Sequence, residues 1–288
     1  MKKVTKAVIP AAGFGTRFLP VTKAVPKEML NIVDTPALHY IVQEALDSGI
    51  TDVLIITGRS KRVMEDYFDR NPELEYLLKN AGKHVALALE EEVSNMADIC
   101  FVRQKEMKGV GNALMLAKTF VGNDPFAVLF GDDLVYNPGD PATAQLCKAY
   151  ETTGTCILGV QRIPMSEVHK YGVVKPGLSK GRYTEVKGFV EKPKENAPSN
   201  IASLGRYVLT PEIFDALKVA PLGPGNELYL TEALDMIANG TGVYAYEFEG
   251  TRYDTGDKLG YMKAVTEYAL RHSEVGEGYL AYLKELVK

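Results

Sequence analysis

VTKAVIPAAGFGTRFLPVTKAVPKEML, residues 4–30, carries the reading of the fold. It begins with a short apolar run, 4–9, and breaks at once into glycines. Such a run, bounded by turn residues, predicts a buried strand with a Gly-rich turn at its carboxyl end. Downstream, Thr35-Pro36 opens a helical pattern with Leu38, Ile41, Val42, Ala45 and Leu46 on one face. Gly49 is placed to end it as a C-cap. DVLIIT (52–57) predicts a second buried strand, and a charged helix is expected over 61–70. Strands follow at 85–89 and 100–104, a helix at 112–119, and a strand at 126–130 that runs into Gly131-Asp132-Asp133. Strand and helix in alternation predict an α/β protein whose sheet is mostly parallel and covered on both faces. Right-handed crossovers would make it doubly wound and Rossmann-like. Ligands of such sheets sit beyond the carboxyl ends of the strands, where both the Gly-rich and the acidic turn would lie.

After 155 the pattern changes to an added small β region. Strands are predicted at 155–161, 171–175, 183–191, 203–209 and 243–248, interleaved with helices near 211–218, 227–239 and 257–271. A tail helix, 279–287, carries Tyr279, Leu280, Leu283 and Leu286 on its apolar side, for packing on the core or for a subunit contact. No linker or repeat divides the chain. The expectation is one domain over 1–288, with halves at about 1–150 and 151–270 and a C-terminal helix at 271–288.

With 33 basic and 37 acidic side chains the net charge is −4, and no basic run is long enough to track a nucleic-acid backbone. Nucleic acid is therefore excluded as a partner. An anionic substrate would need positive charge gathered locally in a cleft. No apolar stretch approaches the roughly 18 residues of a membrane span, and the N-terminal run is too short for a secretory signal. Cys100, Cys147 and Cys156 form no CxxC pair and read as buried free thiols, which suits a cytoplasmic protein.

In AAGFGTRFLPVTKAVPKEML (11–30), Gly13 and Gly15 allow a tight turn whose N–H groups a phosphate can approach. Thr16 adds a hydroxyl, and Arg17 and Lys27 are the fixed charges a triphosphate needs. The segment is no Walker loop, and Phe18 stands where a dinucleotide fingerprint has its third glycine. GxGTR followed by PK ten residues after Arg17 is far more specific than a bare GxG.

On this segment the chain resembles the nucleotide-sugar pyrophosphorylases, or sugar-phosphate nucleotidyltransferases. LFGDD (129–133), YGVVK (171–175), FVEKP (189–193), LGRYVL (204–209) and YDTGD (253–257) follow in the family's order along nearly the whole chain. FVRQKEMKG (101–109) and RYDTGDKLGYMKA (252–264) resemble its uridylyl-transferring branch. That resemblance implies a Mg²⁺-dependent enzyme that takes UTP and glucose 1-phosphate to UDP-glucose and pyrophosphate. A homo-oligomer, dimer or tetramer, is expected.

The resemblance also implies roles for residues. The nucleotide would meet Ala11, Ala12, Gly13, Gly15, Thr16, Gln104 and Gly109. Arg17 and Lys27 would stabilise the leaving pyrophosphate, and Asp132 and Asp254 would hold the metal. Strand alternation sends Asp133 to the other face, behind the metal. Glu28, Gly172, Glu191, Lys192, Gly205 and Arg206 would hold the sugar phosphate, with Lys192 on the attacking phosphate. On the residues alone, Glu191-Lys192-Pro193 also reads as an exposed turn, and Asp132-Asp133 as turn formers. Gln104 has an amide that both donates and accepts, so it can pair with a pyrimidine edge. Asn112 stands where uridylyltransferases usually carry a histidine in a GLGHA-like segment. Rival readings are transfer from dTTP or CTP, and a silent paralogue that only binds nucleotide sugars; the intact set of charged residues argues against silence.

Overall fold

A computed structural model describes residues 1–288. Its strands are β1 Lys6–Pro10, β2 Asn31–Ile32, β3 Thr35–Pro36, β4 Asp52–Thr57, β5 Asp98–Arg103, β6 Phe126–Leu129 and β7 Asp133–Tyr136. They continue with β8 Cys156–Arg162, β9 Gly172–Lys180, β10 Tyr183–Glu191, β11 Ile201–Leu209, β12 Val243–Glu247 and β13 Thr251–Asp254. Nine of them form one sheet in the order β5-β4-β1-β6-β11-β8-β12-β10-β9.

β1, β4, β5 and β6 are parallel neighbours, as the alternating pattern requires. The sheet as a whole is mixed, because β10 and β11 run against the strands beside them. The expected mostly parallel sheet therefore extends only over these four strands of the first half of the chain. β9 also pairs back onto β11, so β11, β8, β12, β10 and β9 close on themselves.

Side chains alternate across the parallel strands. Ala7 and Ile9 of β1, with Val53 and Ile55 of β4, face one apolar layer; Val8, Leu54 and Ile56 face the other. Both faces are buried, so these strands read as continuous apolar runs. The helix Ala37–Asp47 covers the first face through Leu38, Ile41, Val42 and Ala45. Helices Glu212–Val219 and Leu230–Ala238 cover the second. There Phe126 stacks on Phe214 at 5.5 Å between ring centroids.

β11 is the element that positions the site. Leu209 pairs with Phe126 and Arg206 with Leu129 at the carboxyl end of β6. The residues before Arg206 extend past that end, and β9 pairs there, Ser203 with Gly172. Register slips between Ser203 and Tyr207, where Gly205 takes φ +61 and its carbonyl accepts from Phe130 N–H at 2.8 Å. This bulge turns the strand around the end of the parallel half.

Several expectations need correction. Residues 85–89 lie in the helix His84–Ser94, not a strand. VALAL is too short for periodicity to decide, and the following Glu-rich turn completes a helix. The helix Pro72–Asn80 was not foreseen, although Asn71 caps it, accepting from Leu74 N–H at 3.1 Å, with Pro72 in the first turn. The tail helix spans Gly276–Leu286 and buries only Gly276; Leu280 and Leu286 are exposed, so it does not pack into the core. Of the free cysteines only Cys156 is buried, Cys100 being exposed and Cys147 half-buried. No helix is long and apolar enough to cross a membrane.

Candidate active site

The turn after β1 is held from beneath. Lys61 Nζ donates to Ala11 O at 2.6 Å and pairs with both Glu28 oxygens at 2.8 and 3.0 Å. Burial pushes the Glu28 carboxyl up and the Lys61 ammonium down, and their mutual attraction opposes both shifts. Beyond Ala11 the N–H groups of Ala12, Gly13, Phe14 and Gly15 donate to no acceptor within the protein. Consecutive free N–H groups on a turn form a site for an anion. Gly15 takes φ +65, and a Cβ there would press on Lys27 Cβ at 3.2 Å, so the glycine lets the Lys27 stem approach.

Ala12, Gly13, Lys27, Glu28, Gln104, Gly109 and Asp132 line one lobe of a cleft, with a cavity volume of about 430 Å³. The adjoining lobe, about 280 Å³, is lined by Arg17, Asp132, Gly172, Glu191, Lys192, Gly205 and Asp254, among others. Asp132, Gly109 and Phe130 belong to both. Asp132 thus stands where the lobes meet.

Lys27 Nζ pairs with Asp132 Oδ2. Burial works against this ammonium, but Asp132, Glu28 and Asp133 outweigh burial and hold its pKa above the usual lysine value. Asp132 is held below the usual carboxylate range: burial would raise it, and Lys27, Arg252 and Arg17 overcome burial. Across the cleft, Gly256 N–H donates to Asp254 Oδ1 at 3.0 Å, and Arg17 donates to Gly256 O at 3.2 Å. A Cβ on Gly256 would lie 2.6 Å from Asp132 Oδ2 and 3.1 Å from Asp254 Oδ1. The two carboxylates therefore converge beside this glycine. No group of three or more His, Cys, Asp or Glu is arranged for a metal. Two carboxylates suit a hard cation that takes its other ligands from phosphate and water.

Asp133 is bound differently. Its Oδ1 accepts from Arg252 Nε at 2.7 Å, and Arg252 also donates to Tyr171 OH at 3.0 Å. Burial pushes Asp133 up to about 6 against the pull of Arg252, with Asp132 and Asp254 adding to the rise. Tyr171 OH in turn donates to Asp254 Oδ2 at 3.1 Å.

On the second lobe, Gly172 opens β9 opposite Glu191. A Cβ at Gly172 would sit 3.1 Å from both Glu191 Oε2 and Thr231 Cγ2, so glycine leaves the Glu191 carboxylate room. Thr231 Oγ1 donates to Glu191 Oε2 at 3.2 Å. Lys192 has φ +46, unusual for a side chain of its size, and its N–H donates to Tyr171 O at 3.0 Å. Such backbone strain persists where the surroundings over-determine a residue, as they do at functional sites.

The family model described as Nucleotidyl transferase matches residues 6–270. The chain belongs to that family. It is 53% identical over 287 residues to the UTP–glucose-1-phosphate uridylyltransferase of Staphylococcus epidermidis, covering 99% of each chain. It is 50% identical to the enzyme of that name from Bacillus subtilis, covering 100% of this chain and 98% of the other. Among solved structures, it is similar to a UTP-bound UGPase from Acinetobacter baumannii, with TM-score 0.92 and 38% identity over 98% of this chain and 99% of that one. It is also similar to a UDP-glucose pyrophosphorylase complexed with UDP-glucose, with TM-score 0.85 and 40% identity over 93% and 100%.

In this nucleotidyl transferase, two residues expected on the sugar phosphate are placed elsewhere. Glu28 lies under the first lobe with Lys61. Arg206 is 1% exposed and lines neither lobe. Its Nε and Nη2 donate to Glu44 at 3.0 and 2.6 Å, and Nη2 reaches Asp133 O at 2.8 Å. Successive strand residues face opposite ways, so Gly205 at the cleft wall sends Arg206 into the core. Thr16 is exposed and, like Gly15, lines neither lobe. Lys61, Arg252, Tyr171 and Thr231 were not foreseen. Arg252 directly precedes YDTGD, and Tyr171 opens YGVVK, so both lay inside motifs already singled out; Lys61 and Thr231 had no signal.

Removing one member of a buried pair strands the other charge. Glu44→Ala should therefore cost about 3–5 kcal/mol of stability, read as a lowered urea midpoint. An unchanged midpoint would show that Arg206 is not held as described.

Proposed function

We propose that this protein transfers a uridylyl group from UTP to glucose 1-phosphate, giving UDP-glucose and pyrophosphate. The observation that carries the reading is the two-lobed cleft joined at Asp132, one lobe floored by a free N–H turn and the other walled by Glu191 and Lys192. Relatives about 50% identical over the whole chain carry that activity in their names. The parallel strands β5, β4, β1 and β6 would form a Rossmann-like nucleotide half, about 1–150, within one domain.

In this reading the triphosphate lies on the N–H groups of Ala12, Gly13 and Phe14. An oxygen of glucose 1-phosphate attacks the α-phosphorus in line. The new P–O bond forms as the bond to the β-phosphate oxygen breaks, and the electron pair leaves on pyrophosphate. The attacking oxygen is anionic at neutral pH, so no general base is needed. Catalysis rests on positioning and charge neutralisation. Lys27 exchanges Asp132 for a phosphate oxygen and, with Arg17, takes the charge that develops on the leaving group. Lys192 holds the attacking phosphate against the repulsion of the triphosphate. Glu191, oriented by Thr231, accepts from sugar hydroxyls, and Gly172 and Gly205 give the hexose room. Gln104 faces the base edge. Asp132 and Asp254 would hold Mg²⁺, which supplies charge neutralisation between the phosphates when bound. Arg252 keeps Asp133 off that role. A homo-oligomer in the cytoplasm completes the proposal; the exposed Leu280 and Leu286 of the tail helix support a contact between copies.

A pyrophosphate-release assay with glucose 1-phosphate and a panel of triphosphates tests it. UTP should lead, ATP and GTP should be rejected clearly, and dTTP less so, since thymine differs by one methyl worth about 1–3 kcal/mol. Equal or better kcat/KM with ATP, GTP or CTP would overturn uridylyl transfer. Lys192→Ala should lower turnover on the order of 10²–10³-fold, as the loss of one transition-state contact does. Near wild-type kcat/KM for glucose 1-phosphate would remove Lys192 from the mechanism. Asp132→Asn and Asp254→Asn should each weaken activity and its Mg²⁺ dependence with the fold retained by circular dichroism, and Asp133→Asn should do less. Activity that survives EDTA would count against any metal role.

A further inference from the structure

We propose that Asn112 is a positioning residue for base selection: it locks the Gln104 amide so that Gln104 offers the base an acceptor and no donor. The inference rests on the reading that Gln104 faces the base.

Gln104 follows β5 and is 5% exposed, with its backbone N–H donating to Thr57 O at 2.8 Å. The main chain is thus fixed, and only the amide can turn. A free amide is a poor discriminator, because flipping it exchanges donor for acceptor. This amide is not free. Its Nε2 donates to Asn112 Oδ1 at 2.9 Å and reaches Gly109 O at 3.4 Å. The Gly109 carbonyl can only accept, so a flipped amide would set Oε1 against it. That breaks the symmetry, and the closer bond to Asn112 holds the result. Both Nε2 protons are committed, and Oε1 remains for a ligand.

The two acceptors are themselves rigid. Gly109 has φ +87, and a Cβ on it would lie 2.6 Å from Leu228 O. Leu228 N–H donates to Lys108 O at 2.8 Å, and Gly111 N–H donates to Leu228 O at 2.9 Å. The start of the helix Gly109–Met115, which carries Asn112, is clamped by this exchange. An acceptor held in place selects a base with an N–H at ring position 3. Uracil and thymine have one. Cytosine presents a lone pair there, and the two acceptors repel. Rejection of cytosine is therefore set by Asn112 through Gln104, while thymine is not rejected by this device.

The test compares kcat/KM for UTP, CTP and dTTP in the wild type and in Asn112→Leu, Asn112→Asp and Gln104→Leu. Asn112→Leu removes the acceptor at similar size and should cut the UTP-over-CTP preference about tenfold, the order that one hydrogen bond carries. Asn112→Asp still accepts from Nε2 and should keep the preference, even if it slows both reactions alike. The UTP-to-dTTP ratio and KM for glucose 1-phosphate should not move in either. A wild-type UTP-to-CTP ratio in Asn112→Leu, or an equal loss in Asn112→Asp, would overturn the lock. Gln104→Leu separates the two failures. If it abolishes the preference while Asn112→Leu does not, only the lock is wrong. If it leaves the preference intact, the placement of Gln104 against the base is wrong as well.

Discussion

A buried lysine holds the floor of the cleft. Lys61 reaches from the loop after β4 to the Ala11 carbonyl and to Glu28, tying three separated stretches of chain together. An ammonium buried among apolar strands is tolerated only with such partners. The arrangement has a directional consequence. With the Ala11 carbonyl drawn down to Lys61, the Ala12 N–H of the same trans peptide points the other way and meets no protein acceptor.

The same logic runs along the edge of the sheet. Arg206 is met by Glu44, Arg252 by Asp133 and Lys27 by Asp132. In a chain of net charge −4, each of these three cations is matched by a carboxylate. The pairs differ in burial, and that separates their uses. Arg206 and Glu44 are sealed in the core, so their pair holds β11 against the helix Ala37–Asp47. Lys27 and Asp132 line the cleft, so their pair stays within reach of whatever enters it.

Much of the parallel half was legible. The runs 52–57 and 126–130 were read as strands because each is apolar on both faces and bounded by turns. Gly13, Lys27, Gln104, Asp132, Glu191, Lys192 and Asp254, named from motifs, line one cleft although up to 241 residues separate them in the chain. The misreadings have local causes. VALAL has no period long enough to tell helix from strand. The resemblance implies a sugar-phosphate role for Arg206 as for Gly205, whereas a strand sends neighbouring residues to opposite faces.

The sequence by itself determined the alternating α/β order, the Gly-rich turn after the first strand and the family's set of charged residues. Those depend on local composition and short-range periodicity, which survive in a linear string. Only the tertiary structure decided that β10 and β11 run reversed, that β9 returns to β11, and that Lys61, Thr231 and Arg252 support the site. It also decided the pairing of Gln104 with Asn112. These features depend on contacts between distant segments, and such contacts follow from how the sheet closes and which buried groups find partners. A single sequence carries no direct record of either.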